Sequence, residues 1–357
     1  MSQSISLPHQ ILRGADAIHK IETNIDKAIQ RVLVIGGKHA LKACQAALSG
    51  QFECRERIQF AWYGGEVSES NCEVLIKQAS EQNAQLIIAA GGGKAIDMGK
   101  WVAEVLGLPV VTIPTIAATC SAVSTVSIKY DDRGHYIDVV KLKKAPSLVV
   151  LDPSIIVQAP VRWLAAGLGD TLAKLYEFRS IQENLSEGSF NDSAYANGQL
   201  CFDLIKKYGP DAIKAVENKC EDKALVSVMD AIFIFAGFTS IMGVGDHVGA
   251  AHGLFDGFTI NEKTRLFGHG LLVGFGNLVL LDLEGRSEDQ LIEAILLARA
   301  CAIPVALNEI NSLTDDELFA IAEFAAATPD MKNMPFTVTA LDLVTSMKKI
   351  SALSEAC

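Results

Sequence analysis

The sequence predicts an α/β domain with a mostly parallel sheet, followed by an all-helical domain. Three observations lead to this fold class. Short β-branched runs alternate with Ala/Leu-rich helical segments up to residue 150, glycines close several of those runs, and almost no strand signal remains after Pro160. Such alternation implies βαβ units, whose ligands gather at the carboxyl ends of the strands. We therefore expect two domains, 1–158 and 159–357.

The amino-terminal elements follow from apolar runs and their glycine or proline boundaries. The predicted strands are Arg31–Ile35, Gln59–Tyr63, Gln85–Ala90, Pro109–Ile113 and Leu148–Asp152. The predicted helices end at Leu48 after the first strand and span Ser68–Gln82 and Lys94–Leu106. An antiparallel hairpin is expected from Val126–Tyr130, the turn Asp131–Gly134 and Tyr136–Val140.

The carboxyl-terminal half shows helical spacing with predicted breaks at Gly209-Pro210, Gly243 and Pro304. Its most apolar run, Val226–Met242, carries Asp230 and indicates a buried core helix. No stretch approaches the roughly 20 uninterrupted apolar residues that a membrane helix requires, so no membrane partner is expected.

The composition and charge of the chain exclude several classes of protein. Half of the 357 residues are hydrophobic, and 42 acidic against 31 basic side chains give a net charge of −11, which argues against nucleic-acid binding. The amino terminus lacks the features of a signal peptide, and the eight cysteines show no C-x-x-C pair. We expect reduced thiols, a cytoplasmic location, a small-molecule substrate and a homo-oligomer built on the apolar helical domain.

Glycines follow the third predicted strand, in Gly91-Gly-Gly-Lys94-Ala-Ile-Asp97. Glycines at a strand-to-helix turn let the backbone approach a phosphate, and the N-terminus of the following helix favours the anion. The segment is neither a G-x-G-x-x-G fingerprint nor a Walker A motif, and a simple tight turn is the alternative. We predict a pyrophosphate loop in which Asp97 caps or positions the backbone.

A second polar loop, Ile113-Pro-Thr-Ile-Ala-Ala-Thr119 with Cys120 and Ser124 after it, suits a cleft lined by a cofactor or a purely structural loop. Farther along, Asp170, His252 and His269 are each flanked by glycine or alanine. One carboxylate and two imidazoles can hold a divalent metal and leave a fourth position open for substrate or water. Three scattered polar residues without a shared role are the alternative.

Together these segments resemble the iron-containing (group III) alcohol dehydrogenase family, whose fold is shared with dehydroquinate synthase. The resemblance rests on the two loops, on Ala166-Gly-Leu-Gly-Asp-Thr-Leu-Ala-Lys174, on Ala250-Ala-His252 and on Gly268-His-Gly270. It is greatest to the glycerol dehydrogenase branch, and within that branch to hydroxycarboxylate dehydrogenases. It implies a dehydroquinate synthase-like fold with a Rossmann-like first domain that binds NAD or NADP.

The resemblance also implies site residues. Asp170, His252 and His269 would hold Zn²⁺, with Fe²⁺ or another divalent metal as the alternative, and Lys174 occupies the place where other branches have a fourth ligand. The residues implied in cofactor binding are Gly37, Gly92, Gly93, Lys94, Asp97, Thr115, Ala118, Ser124, Val126 and Tyr130.

Three departures from the family pattern bear on specificity. Cys120 replaces the aspartate that holds the polyol in glycerol dehydrogenases, which suits an anionic 2-oxo acid better because a buried carboxylate would repel it. Phe255 replaces a histidine, so that proton relay is unavailable and Lys174, His247 or a metal-bound water remain candidates. Gly37, followed by Lys38, stands where NAD-preferring relatives have an aspartate, so NADP is expected as readily as NAD.

The sequence therefore predicts a metal-dependent NAD(P)-linked oxidoreductase that reduces small 2-oxo acids to 2-hydroxy acids, with Asp170, His252, His269 and Cys120 at the reacting centre. Glycerol oxidation is the first alternative. A dehydroquinate synthase-like lyase and a non-catalytic family member are further alternatives.

Overall fold

The computed structural model describes residues 5–52, 57–184, 187–243 and 248–357. The chain divides into two compact units, Met1–Ala159 and Pro160–Cys357. The predicted fold class, a parallel α/β unit followed by a helical unit, is confirmed.

The amino-terminal unit contains a six-stranded parallel sheet. Its strands are β1 (Gln10–Arg13), β2 (Arg31–Gly36), β3 (Arg57–Trp62), β4 (Leu86–Gly91), β5 (Val110–Pro114) and β8 (Leu148–Leu151). Across the sheet they lie in the order β1-β8-β5-β4-β2-β3. Its helices are α1 (Lys38–Gln51), α2 (Glu69–Glu81), α3 (Gly93–Leu106) and α4 (Pro153–Ile156).

The inner strands are apolar on both faces because helices cover the sheet from both sides. Val32 and Val34 of β2 enter one apolar cluster, whereas Leu33 and Ile35 enter the other. Strand β1 is not predicted from the sequence, because its four residues lack the β-branched run of the inner strands. This strand forms because its backbone pairs with β8, with Gln10 opposite Leu148.

The predicted hairpin forms a separate two-stranded antiparallel sheet of β6 (Val126–Tyr130) and β7 (Tyr136–Lys141). The turn between them is fixed by the Asp131 carboxylate, which accepts hydrogen bonds from the backbone N–H groups of Arg133 and His135. β6 is held against α3, because Ser127 Oγ donates to the carbonyl of Asp97.

The carboxyl-terminal unit is helical, and no strand occurs in its described residues. Its helices are α5 (Val161–Ile181), α6 (Ser189–Glu217), α7 (Lys223–Met229), α8 (Ala236–Met242), α9 (Ala250–Thr259), α10 (His269–Leu283), α11 (Glu288–Ala300), α12 (Leu307–Ile310), α13 (Asp315–Ala327), α14 (Pro329–Lys332) and α15 (Ala340–Ala356).

The predicted helix break at Gly209-Pro210 is wrong, because α6 runs through Pro210. Gly209 is buried there, and a Cβ atom at this position would lie 2.7 Å from the sulfur of Cys301. Burial of this face overrides the local preference against proline in a helix interior. The expected ends at Gly243 and near Pro304 coincide with the end of α8 and the loop after α11.

The apolar stretch Lys223–Met242 is continuous helix through α7, one π-helical segment and α8. By length and composition it could cross a membrane, with a mean hydropathy of 2.0. Half of this stretch is buried, and it packs against α6, which is the behaviour of a core helix.

Candidate metal centre

Asp170, His252 and His269 meet in the helical unit although they are far apart in the sequence. Ligand atoms from the three side chains all lie within 4.8 Å of one another. His269 Nε2 is 3.2 Å and His252 Nε2 is 3.6 Å from Asp170 Oδ1. One carboxylate and two imidazoles that converge in this way fit a divalent ion such as Zn²⁺ or Fe²⁺.

Three helices supply these side chains: Asp170 from α5, His252 from the first turn of α9 and His269 from the first residue of α10. The helices approach closely because glycine occupies their crossings. A Cβ atom at Gly270 would collide with the backbone of Ala166 on α5. A Cβ atom at Gly276 would lie 2.7 Å from the carbonyl oxygen of Ala251 on α9. The glycines beside the ligands thus set the distances between the helices that carry them.

A buried carboxylate from α5 supports His252. Glu177 is 1% exposed, and its Oε2 lies 2.6 Å from His252 Nδ1. Its other oxygen accepts hydrogen bonds from the backbone N–H groups of Gly249 and His252, both at 2.9 Å. Glu177 follows Asp170 by two helical turns, so both carboxylates face α9.

The electrostatics of the site reflect this concentration of opposite charges. Burial opposes ionisation of Asp170, but hydrogen bonds from His252 and His269 hold the pKa of its carboxyl well below the usual 3.8. Burial likewise opposes protonation of His252, but Glu177 and Asp170 outweigh it and raise the pKa of this imidazole to about 10. Without a metal, protons therefore occupy the position that a cation would take.

The trio has apolar neighbours on one side and titratable neighbours on α5 and α9. The ring of Phe255 contacts His269 edge to face, with ring centroids 4.3 Å apart, and packs against Ala173 and Ala251. Lys174 lies one turn after Asp170 on α5, where its charge favours the ionised carboxylate. Burial raises the pKa of Asp256, one turn after His252. The remaining predicted relay candidate, His247, lies outside the described residues.

In the amino-terminal unit, the glycine loop connects β4 to α3 as the sequence predicts. Gly91 ends β4 with a φ of +151°, and Gly92 precedes the first turn of α3. A Cβ atom at Gly92 would lie 2.6 Å from the side chain of Ile116, whereas one at Gly93 would lie 3.2 Å from Thr119 Oγ1. Free N–H groups at the start of a 14-residue helix suit a phosphate.

Gly37 and Thr115 flank this loop. A Cβ atom at Gly91 would lie 3.7 Å from the backbone nitrogen of Gly37, and the N–H of Thr115 donates to the carbonyl of Gly91 at 3.0 Å. The Lys94 ammonium lies 2.6 Å from Glu66 and 4.8 Å from the centre of the Tyr130 ring. Lys94 and Tyr130, both predicted cofactor residues, therefore lie together.

Asp97 belongs to a buried ion pair that fastens the second polar loop to α3. Lys100, 1% exposed, lies 3.0 Å from the Asp97 carboxylate. Its ammonium also donates to the carbonyls of Ser121, at 2.8 Å, and of Val126, at 2.5 Å. Asp97 in turn accepts a hydrogen bond from Ser121 Oγ at 2.5 Å. The Asp97 carboxylate thus positions the second polar loop, whereas the sequence had predicted that it positions the glycine loop.

The remaining predicted residues line the same loop. Ser124 is buried, with its Oγ 3.2 Å from Lys100 Nζ. Ala118 is 8% exposed, and Cys120 is partly exposed in a short 3₁₀ turn, Cys120–Ala122. The structure therefore brings the predicted cofactor residues together around β4, β5 and β6.

Two residues of these sites were not predicted from the sequence, Glu177 and Lys100. The signal for Glu177 was its spacing of two turns from Asp170 in a segment without helix breakers. The signal for Lys100 was a lysine three residues after Asp97, on the same face of an otherwise apolar helix. Spacing of this kind is also common on solvated helix faces, so burial was needed to distinguish them.

Comparison with known proteins shows which family the chain resembles over nearly its whole length. Residues 8–153 match the family model described as iron-containing alcohol dehydrogenase. The chain is 31% identical to the glycerol dehydrogenase of Pseudomonas putida, over 95% of this chain and 94% of that protein. It is 30% identical to hydroxycarboxylate dehydrogenase A of Escherichia coli K12, over 92% and 91% of the two chains. The crystal structure of the Schizosaccharomyces pombe glycerol dehydrogenase superposes with a TM-score of 0.89 at 25% identity, over 99% and 92% of the chains.

Proposed function

Because this chain belongs to the iron-containing alcohol dehydrogenase family, we propose that it is a metal-dependent, NAD(P)-linked oxidoreductase that interconverts a small alcohol and its carbonyl compound. The observation that carries the proposal is the convergence of Asp170, His252 and His269 within 4.8 Å in a partly buried site. Two neutral imidazoles and one carboxylate leave a bound divalent ion with net positive charge and an open position.

A divalent metal and a nicotinamide cofactor would divide the chemistry between them. A divalent metal held by the trio would polarise the oxygen of the substrate, and a nicotinamide would accept or donate the hydride. The chain supplies binding and orientation. The N–H groups of Gly92 and Gly93 would receive the pyrophosphate, and the Asp97–Lys100 pair would keep the loop of residues 119–126 in place.

The apolar neighbours of the trio favour this chemistry. The ring of Phe255 packs against His269, and an apolar neighbour on this side strengthens electrostatic interactions within the site. Lys174 and Asp256 are the titratable side chains of α5 and α9 that lie one turn from a ligand, so we assign them as candidates for moving the proton.

Glycerol is the first candidate substrate, because the Pseudomonas and Schizosaccharomyces relatives are glycerol dehydrogenases. A 2-oxo acid is the second candidate, and Cys120 favours it. By its resemblance to the glycerol dehydrogenase branch, the chain has a thiol at Cys120 where that branch would have a carboxylate. Removal of a negative charge lowers the cost of binding an anionic substrate. The similarity to hydroxycarboxylate dehydrogenase A supports the same candidate.

The test is a substrate panel on metal-replete protein. Oxidation of glycerol is measured with NAD and NADP, and reduction of 2-oxobutyrate with NADH and NADPH. Turnover of glycerol alone would remove the 2-oxo acid candidate, and turnover of the 2-oxo acid alone would remove glycerol. Absence of turnover with both, together with absence of bound metal, would contradict the proposed enzyme class.

A matched pair of histidine variants tests the metal site within that panel. His269→Ala removes one ligand and should abolish turnover while circular dichroism remains that of the folded protein. His19→Ala removes an exposed imidazole in the other unit and should leave turnover unchanged. Undiminished activity of His269→Ala would refute the assignment of the trio.

A further inference from the structure

We propose that Glu177 is a positioning residue that fixes the proton of His252 on Nδ1 and thereby presents Nε2 as the ligand atom. The inference rests on the metal site of the proposed function, but it concerns a residue outside the trio. Its basis is geometry: one carboxylate binds both the ring and the backbone of a single ligand residue.

The hydrogen bond from His252 to Glu177 determines which ring nitrogen of neutral His252 carries the proton. The carboxylate already accepts two backbone N–H groups on Oε1, from Gly249 and His252. Its Oε2 lies 2.6 Å from His252 Nδ1, and an ionised carboxylate can only accept. Nδ1 must therefore donate, which leaves the lone pair of the neutral ring on Nε2, the atom that faces Asp170 at 3.6 Å.

The same contacts fix the orientation of the ring. His252 lies in the first turn of α9, where backbone N–H groups have no partner within the helix. Glu177 satisfies two N–H groups at this terminus and holds the ring from the side opposite to the trio. Rotation of the His252 ring would break its bond to a side chain that is 1% exposed, where no water can replace it.

Substitution of Glu177 by glutamine separates the positioning role from a purely structural one. In Glu177→Gln the amide oxygen can still accept the two backbone N–H groups, so the cap of α9 survives. The amide NH₂ group then faces Nδ1 and donates to it. Nδ1 must accept, the proton moves to Nε2, and the ligand atom is blocked.

The measurement is the affinity of the metal-free protein for Zn²⁺, by competition with a chromophoric chelator. We expect Glu177→Gln to bind Zn²⁺ at least about tenfold more weakly than the wild-type protein, as for other partners of metal-binding histidines. The matched control is Glu284→Gln at the far end of α10. The Glu284 side chain is 7% exposed and accepts hydrogen bonds from Arg179 and Ser180, and none of its described contacts is with a ligand of the trio.

Each outcome decides the proposal. A selective loss of Zn²⁺ affinity in Glu177→Gln supports it, whereas unchanged affinity, or an equal loss in Glu284→Gln, overturns it. A wild-type protein that binds no divalent metal would remove the metal site itself, a different failure. If Glu177→Gln does not fold, ¹⁵N-histidine spectra of the zinc-loaded wild-type protein decide instead. Ligation of His252 through Nδ1 rather than Nε2 would overturn the assignment.

Discussion

Replacement of Gly276 by alanine should disturb the metal centre from a distance. Gly276 lies in α10 at its crossing with α9, where an added Cβ would lie 2.7 Å from the carbonyl oxygen and 2.9 Å from the Cα of Ala251. Ordinary contact begins at 3.4 Å, so α9 must move by about 0.7 Å, the difference between these distances. Ala251 is the residue immediately before His252.

The magnitude follows from two competing terms. Alanine gains about 1 kcal/mol over glycine in a helix interior, whereas overpacking of a core costs about 1–3 kcal/mol. Metal–ligand distances tolerate only about 0.2 Å of error, so a shift of His252 several times larger should weaken Zn²⁺ binding at least about tenfold, or about 1.4 kcal/mol.

The control is Gly50→Ala in α1, where nothing lies within 4 Å of the added Cβ. This variant should gain up to about 1 kcal/mol, so the two variants should differ in free energy of unfolding by about 1–3 kcal/mol. Urea unfolding of metal-free protein and chelator competition measure the two effects. If Gly276→Ala is as stable as Gly50→Ala and binds Zn²⁺ like the wild-type protein, the reasoning is refuted.

Three further predictions concern buried charge and thiols. In metal-free protein the pKa of His252 rises from 6.5 to about 10 on folding, so its stabilising contribution is complete below pH 6.5 and is lost as the pH rises through 10. Unfolding free energies from urea titrations should therefore fall by up to about 1.4 kcal/mol per pH unit in that window, and a flat profile would contradict this origin of the shift. Lys100→Met leaves Asp97 buried without its cation, so the free energy of unfolding from urea titrations should fall by about 3–5 kcal/mol. An unchanged midpoint of urea unfolding would show that the ion pair does not stabilise the fold. Burial raises the pKa of the Cys44 thiol to about 12. Brief treatment with iodoacetamide at pH 8 should therefore modify exposed Cys220 and spare Cys44, as peptide mass spectrometry would show. Equal modification of the two cysteines would contradict the burial of Cys44.

The sequence was most informative where local chemistry and global fold agree. The inner strands carry apolar β-branched runs that only a covered sheet can use, and the hairpin turn is specified by Asp131 and Gly134. β1 and the passage of α6 through Pro210 were not predictable, because pairing with β8 and burial of Gly209 are tertiary effects. Local propensity gives no signal for β1 and opposes the continuation of α6 through Pro210.

The candidate site also combines features that the sequence predicts with features that depend on tertiary contacts. The trio could be proposed from residue types and a family resemblance. The distances between its side chains depend on helix crossings, which residue spacing in the sequence does not determine. Glu177 is an ordinary glutamate in the sequence and becomes distinctive only through its burial against His252. The ion pair of Lys94 with Glu66 was also not predictable from the sequence, because the two residues lie 28 positions apart in the chain.

The placement of the trio has a topological consequence. Asp170 and His269 are 99 positions apart in the chain, and the helices that carry them pack against each other without a covalent cross-link. A covalent cross-link that closes a loop of about 100 residues restricts the unfolded chain by about 4.7 kcal/mol in the chain-entropy model. A coordinated ion closes the same loop reversibly and binds only the folded arrangement. Metal scarcity would thus shorten the lifetime of the folded enzyme, and cellular metal supply would govern its abundance as well as its turnover.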